Sequence, residues 1–444
     1  MTARPKIVVL DDDPTGSQTV HGCLLLMRWD VETLRMGLRD ESPLFFVLTN
    51  TRSLTPGQAA SVTRDVCIRL QEAIAAEGVE DFMVVSRSDS TLRGHYPIET
   101  DVISDEIGPF DAHFLVPAFF EGGRFTRDSV HYLMSDGSAV PVHETEFAND
   151  SVFAYSYSYL PEYVEEKTHG RIMADNVERI VLEDLRNGVR DRLAALEHNQ
   201  CVVVDGETQE DLDAFARDAL TVASQGKKFL FRSAASVLTS LAELPLQPIA
   251  PDSMFHYVRG GKPGVAIVGS HVQKTTQQLS RLLEEPTVEG VEVDVNLLLE
   301  DLQTGLHDRR KELLTDTLAT IRAAYAEGKT PVVFTSRDEL TFEDVQTRLE
   351  FGTLVSSFLM DVVRGLPSDI GFLISKGGIT SNDVLSRGLR LRTARLLGQI
   401  LAGCSVVRTP NDHPDFPNLP VVLFPGNVGN RDALSEVYRR LSQA

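Results

Sequence analysis

Short apolar runs rich in β-branched and aromatic residues alternate with longer stretches of helical period along the whole 444-residue chain. The runs at 6–10, 44–48, 82–86, 114–116, 201–204 and 228–231 are apolar almost throughout, so both faces need cover, and they read as strands of a buried, mainly parallel sheet. Stretches 56–76, 177–198 and 209–224 supply amphipathic helices to cover it. Segment 121–172 breaks the alternation. It is rich in Tyr, Ser, Phe and His and has no clear period, so it reads as an irregular insertion that either lines a pocket or decorates the surface. Pro245, Pro248, Pro251, Gly260, Gly261, Pro263 and Gly264 then interrupt regular structure and mark a linker. A second series follows, with strands at 265–268, 291–295, 331–334, 371–374, 405–407 and 421–424. Its helices are expected at 272–283, 307–327, 341–363, 382–390 and about 430–441. The expectation is an α/β chain of two domains, each a mainly parallel sheet flanked by helices: 1–245, a linker at 246–264, and 265–444.

Composition narrows the class without changing this picture. With 42% hydrophobic and 24% charged residues, the chain reads as globular rather than disordered. No apolar run approaches the roughly 18 residues of a membrane span, and the opening MTARPKIVVLDDD lacks a signal peptide's pattern. A soluble cytoplasmic protein is expected. Cys23, Cys67, Cys201 and Cys404 lie far apart, without ligand spacing, and read as buried free thiols. The net charge of −21 argues against nucleic acid or membrane as partner. It leaves open a small anionic ligand held by local arginines and helix starts.

Chemistry concentrates at strand ends. In KIVVLDDDPTGSQT, Asp11, Asp12 and Asp13 follow an apolar strand, and in a parallel sheet the carboxyl ends of strands face the ligand. Like charges crowded there raise at least one carboxyl pKa, which suits accepting a hydroxyl proton or holding a metal. In MVVSRSDSTLRGHYP, Ser88, Asp89, Ser90 and Thr91 precede Arg93 and Gly94; in HFLVPAFFEGGRFT, Arg124 follows a glycine turn. Arginine meets a carboxylate with two parallel hydrogen bonds, so the three strand ends together describe a pocket for a small polyhydroxy acid.

The second half carries glycine turns after strands: Gly269-Ser270, Gly377-Gly378 before Thr380, and Pro425-Gly426-Asn427 with Gly429. A weaker candidate surrounds Thr335 and Ser336. Glycines admit close backbone approach, and exposed N–H groups attract phosphate oxygens. Neither a Walker A loop nor a strand-following GxGxxG is present. Lys376 either reaches a phosphate or faces solvent.

Together these motifs resemble the four-carbon acid sugar kinase family, long catalogued as a domain of unknown function, nearly end to end. Asp12-Asp13-Pro14-Thr15-Gly16 looks like its DDxTG motif, and Asp89 to Gly94 match its DSTLRG motif. Pro117-Ala118-Phe119 with Gly123-Arg124 resembles PAF…GR. Gly269-Ser270 with Thr275 and Gln278, Gly377-Gly378 with Thr380, and Gly426 to Gly429 resemble the GS…TxxQ, GGxT and GN[FV]G elements. Ile379 departs from an often acidic position, Phe424 from an often basic one, and His271 from a small one. The resemblance implies that the N-terminal domain binds a tetronate or 3-oxotetronate and the C-terminal domain binds ATP with Mg²⁺, with the active site in the interdomain cleft. Asp12, Asp13 and Arg93 would be catalytic; these with Ser90, Thr91, Gly94 and Arg124 would bind substrate. Ser270, Gly377, Gly378, Thr380, Pro425, Gly426, Asn427 and Gly429 would bind nucleotide. No metal ligands are assigned, and the resemblance is compatible with a homodimer.

Two other readings compete. A haloacid-dehalogenase-type phosphatase would use Asp11 as nucleophile and Asp13 as acid/base, with Thr49 and Asn50 imitating its second motif. Asp205 and Asp211 fit its late acidic pair only in part, and the glycine turns go unexplained. A sugar-acid sensor without turnover is the third, and the intact acid and arginine motifs argue against it.

Overall fold

The computed structural model describes residues 4–442 except Pro14, Thr15, Asp136, 305–307, Asp338, Glu339, Thr341, Glu343, Asp344 and Asn427. Of the expected sites, Asn427 and the Pro14-Thr15 part of the first motif lie outside the described residues, as do the helix starts placed at His307 and Thr341. The chain divides into two compact units, Met1–Leu246 and Gln247–Ala444.

In the first unit, β1 (Lys6–Asp11), β2 (Leu24–Leu26), β3 (Leu44–Leu48), β4 (Phe82–Arg87) and β5 (Ala112–Val116) precede a small antiparallel sheet. That sheet is β6 (Arg124–Arg127), β7 (Val130–Ser135) and β8 (Ser138–Pro141); β9 (Glu178–Ile180), β10 (Gln200–Val204) and β11 (Phe229–Ser233) follow. The main sheet runs β2-β3-β1-β4-β11-β5-β10-β9, parallel throughout, as the continuous apolar runs require. Helix Pro56–Glu77 starts on Thr55, whose capping box with Gln58 satisfies the first free N–H groups, and stops at Gly78 with φ +64°.

The stretch 177–198, expected as one helix, is instead β9 followed by helices Leu182–Asn187 and Arg190–Ala195. Pairing with β10 captures the β-branched start, and Gly188 at φ +85° interrupts the rest. The insertion 121–172 is not wholly irregular either, since it holds the three-stranded meander. Leu133, Val142, Tyr155, Leu160 and Tyr163 pack into one core with Leu92, Tyr96 and Leu115.

The second unit contains β12 (Val265–Val268), β13 (Val288–Val293), β14 (Thr330–Thr335), β15 (Leu373–Lys376), β16 (Thr393–Leu401), β17 (Cys404–Arg408) and β18 (Pro420–Phe424). Their order is β13-β14-β12-β15-β18-β17-β16, with β17 and β16 antiparallel additions to a parallel sheet. Strand β16 has no counterpart in the sequence reading. The helix expected at 382–390 begins earlier, as Gly378–Asp383, and widens into a π turn over Val384–Gly388. The Pro/Gly-rich stretch 246–264 forms 3₁₀ turns at Pro251–Tyr257 and Arg259–Gly261, and Met254 is completely buried in the second core.

Candidate functional site

Because β3, β1, β4 and β11 are neighbours and parallel, their carboxyl ends bring residues 49–52, 11–13, 87–94 and 232–233 to one edge of the first unit. Arg52 is the centre of what gathers there. Its Nη2 lies 2.5 Å from Asp12 Oδ1 and its Nε 3.1 Å from Asp12 Oδ2, the two-pronged geometry of a strong arginine–carboxylate pair. Nη1 of the same guanidinium is 3.4 Å from Asp13 Oδ2 and 3.9 Å from Asp89 Oδ1. Burial opposes the Arg52 charge, but Asp12, Asp13 and Asp89 outweigh it and push its pKa up. Burial likewise works to raise Asp89, and Arg52 and Arg93 overcome it to hold that carboxyl below its usual range.

A second layer sits beneath. The Ser88 hydroxyl donates to Asp12 Oδ2 at 2.8 Å and accepts from Arg232 Nη2 at 2.7 Å. Arg232 also donates to Glu99 Oε2 at 2.6 Å and Ser86 Oγ at 2.8 Å, and Glu99 Oε1 accepts Thr51 Oγ1 at 2.5 Å. This buried network of hydrogen bonds fixes Ser88 and Arg232. Gly94, at φ +124°, passes so close that a Cβ there would lie 2.4 Å from Ser88 Oγ and 2.7 Å from Arg232 Nη2. Asp11 lies under the cluster, completely buried, with Arg87 Nη1 at 3.2 Å from Oδ1 and, among the described residues, no partner on Oδ2. Burial pushes its carboxyl up to about 7 in spite of Arg87.

Of the expected substrate residues, Asp12, Asp13, Arg93 and Gly94 meet around Arg52 and Asp89. Arg93 Nε donates to Asp89 Oδ2 at 2.8 Å, and its guanidinium lies 4.9 Å from the Phe147 ring centroid. Ser90 and Thr91 are buried, and the Thr91 hydroxyl turns back onto Asp89. Arg124 Nη1 donates to Gly122 O at 2.6 Å, its buried Nε has no partner among the described residues, and burial lowers its pKa. The insertion holds the 90–92 backbone from outside. His131 Nε2 is 2.8 Å from Ser90 O, and the Tyr155 and Tyr163 hydroxyls donate to Thr91 O and Leu92 O at 2.7 and 2.9 Å. Burial brings His131 down to about 4, so at neutral pH its uncharged ring donates to Ser90 O. A small cavity lined by Ser88, Asp89, Arg93, Tyr163 and Arg232 opens between these layers.

Arg52, Arg87, Arg232 and Glu99 were missed by sequence reasoning. The three arginines carried the same signal as Arg93, a cation at or just past the end of an apolar strand. Glu99 carried none, being one acid among several on helix Ile98–Ile107.

In the second unit the adjacent parallel strands β12, β15 and β18 end side by side in the three glycine turns. Gly377, at φ +120°, lies where a Cβ would come within 3.1 Å of the Ser270 Cβ, and its N–H donates to Phe424 O at 2.8 Å. Thr275 Oγ1 joins two turns, donating to Ser270 Oγ at 3.1 Å or Gly426 O at 3.2 Å. Gln278 Nε2 donates to Val428 O and Asn430 O at 3.0 and 2.7 Å. Arg337, also missed from sequence, donates through Nη1 to Ser270 O at 2.8 Å. Among the described residues, the N–H groups of Gly426, Val428 and Gly429 have no partner. Loop carbonyls held by side chains and N–H groups left open make a cradle fit for phosphate oxygens. Thus Ser270, Gly377, Gly378, Thr380, Pro425, Gly426 and Gly429 come together. Lys376 is not at the surface: it is completely buried, with Nζ on the Pro425 and Gly426 carbonyls.

Residues 7–241 match the model of a sugar-binding N-terminal domain, and residues 265–434 that of a nucleotide-binding C-terminal domain. The chain is 27% identical over 313 residues to the D-erythronate kinase of Heliobacterium modesticaldum, covering 66% of this chain and 64% of that one. It is 30% identical over 165 residues to the D-threonate kinase of Bordetella bronchiseptica, covering 35% and 38%. The matched stretch therefore spans less than two thirds of the length of either relative. A Salmonella typhimurium crystal structure, titled as a proposed tRNA synthase, shares the fold with TM-score 0.72 at 18% identity over 98% of both chains. With both domain models matched in order over most of its length, the chain belongs to the four-carbon acid sugar kinase family.

Proposed function

We propose that this chain is an ATP-dependent kinase that phosphorylates a hydroxyl of a small four-carbon sugar acid, such as a tetronate or 3-oxotetronate. One observation carries the reading: two unlike ligand surfaces occur on one chain, an acid and arginine cluster around Arg52 and an N–H-lined cradle at the glycine turns. The first suits a polyhydroxy carboxylate and the second a phosphate chain. The names of the two relatives support the same pairing.

Asp13 is the preferred acceptor of the hydroxyl proton, because its side chain is 21% exposed against 2% for Asp12. Asp12, bonded by Arg52 and Ser88, orients that guanidinium. Arg93 and Arg124 bind the substrate carboxylate, and the turns at 269–270, 377–380 and 425–429 bind the phosphates. ATP supplies the phosphoryl group, and Mg²⁺ bound to its phosphate oxygens neutralises their charge. Among the described residues no three His, Cys, Asp or Glu side chains converge as a cation cage. The cytoplasm, where ATP is abundant, is the proposed setting. The phosphatase alternative gains nothing from the geometry, since its nucleophile would be Asp11, buried against Arg87.

The test is an ADP-release screen of tetronates and 3-oxotetronates with ATP, with and without EDTA. Metal-dependent ADP release with a four-carbon acid is expected, together with a fall of about 100-fold or more for Asp13→Ala. Silence across the screen accompanied by p-nitrophenyl phosphate hydrolysis would reject the kinase reading, and near-normal turnover of Asp13→Ala would reject the base assignment.

A further inference from the structure

Lys376 closes β15 with its side chain completely buried, and burying an ammonium is unfavourable unless its donors are taken. They are taken by the backbone of the last glycine turn: Nζ is 2.6 Å from Pro425 O and 3.2 Å from Gly426 O, and it lies 4.1 Å from the Phe424 ring centroid. With Thr275 on Gly426 O and Gln278 on Val428 O and Asn430 O, side chains anchored in the sheet and the adjoining helix hold three carbonyls of this turn and the one just after it. The N–H groups of Gly426, Val428 and Gly429 are the ones left without partners among the described residues. A short loop whose carbonyls are drawn inward has its N–H groups free for an anion.

We infer that Lys376 is a positioning residue for the nucleotide: its ammonium holds the Pro425 and Gly426 carbonyls and places a positive charge behind the N–H groups that meet the phosphates, so nucleotide prefers the protonated form. The inference rests on the second unit being the nucleotide site and extends it to a residue that need not touch the nucleotide. Burial brings Lys376 down to about 7, so both forms exist near neutral pH. The groups acting on it are the buried thiol of Cys404 on β17 and Lys274 of helix Gln273–Leu282. Strands β12 and β18 and the turn 425–429 contain no charged residue, and Asp383 of the short helix is engaged by Ser356 and Arg387. An arriving phosphate chain raises the Lys376 pKa, and the site takes up a proton from solvent. Affinity is then highest below about pH 7 and declines as pH rises through the free-state value.

The experiment is calorimetric titration of the full chain with ADP from about pH 6.5 to 8.5, in two buffers of different protonation enthalpy. Wild type is expected to bind ADP with proton uptake beyond that of ADP itself. Lys376→Met should lose about tenfold in affinity at the acid end, with the gap narrowing as pH rises. A gap constant across pH would mean that Lys376 only fills space, and no gap at all would mean that it does not position the turn; either overturns the inference. Should Lys376→Met not fold, wild type alone decides, and absence of the extra proton uptake overturns it. Failure of wild type to bind ADP at any pH is a different result: it removes the nucleotide reading itself, and the inference with it.

Discussion

Asp11 and Asp12 show how neighbours in sequence acquire different chemistry from their surroundings. Asp12 receives Arg52 from the β3 end and Ser88 from the β4 end, whereas Asp11 is sealed in with one oxygen on Arg87 and the other without a partner among the described residues. The folded state therefore holds a proton on Asp11 up to about pH 7, while an unfolded chain releases it near the ordinary value of 3.8. The stability this confers is complete below that ordinary value and is lost as pH rises to about 7. Asp11→Asn, which cannot ionise, should gain on wild type by roughly 1–4 kcal/mol between about pH 4 and pH 7 and keep a constant offset above. Urea unfolding of both proteins across that range measures it, and parallel curves would refute the assignment. The triple acid was legible as a special site. Which of the three would be sealed was not, because burial depends on Arg87 and Gly16, brought over Asp11 by the fold.

At the scale of elements, most of the parallel strands were legible as unbroken apolar runs, since a strand covered on both faces has no polar positions to spare, although the short apolar run of β2 was missed. The aromatic packing of β5 and β11 shows what those runs do. Phe114 stacks on Phe231 at 5.1 Å and meets Phe215 of helix Gln209–Ala223 edge-on at 5.3 Å, all completely buried. Phe231→Ala should destabilise the first unit by about 3–5 kcal/mol, since the surrounding strands cannot collapse into the space left behind. Chemical denaturation followed by signals from the first unit would show it, and a loss below about 1 kcal/mol would mean that this packing is looser than the geometry indicates. The elements that escaped the sequence are those whose stability is borrowed. Strand β16 exists through its pairing with β17, and β9 takes residues 178–180 from a stretch of helical period because β10 offers them a ladder. The insertion is likewise supported by contacts of His131, Tyr155 and Tyr163 with residues 90–92 that no local pattern announces.

For the whole molecule, each unit has its own hydrophobic core and its own proposed ligand. Hydrogen exchange on the full chain should then separate the two. ADP should protect the backbone around 269–280, 376–384 and 425–432, and a four-carbon sugar acid that around 49–54 and 87–95. Protection by ADP confined to the first unit would reverse the assignment of ligands. No helix of the described residues is long and apolar enough to cross a membrane.

What the amino-acid sequence determined alone is whatever depends on neighbours along the chain. That covers the α/β alternation, the parallel strands, the strand-end acids and arginines, and the glycine turns, whose motifs were specific enough to name the family. What only the tertiary structure decided depends on residues distant in the chain. It made Arg52 the hub of Asp12, Asp13 and Asp89, put Arg232 and Glu99 beneath Ser88, turned the insertion into a brace for residues 90–92, and buried Lys376 under a turn 49 residues further on. The physical reason is common to all of them. Desolvation and hydrogen bonding set the chemistry of an ionisable side chain, and both depend on which strand ends the sheet order brings together.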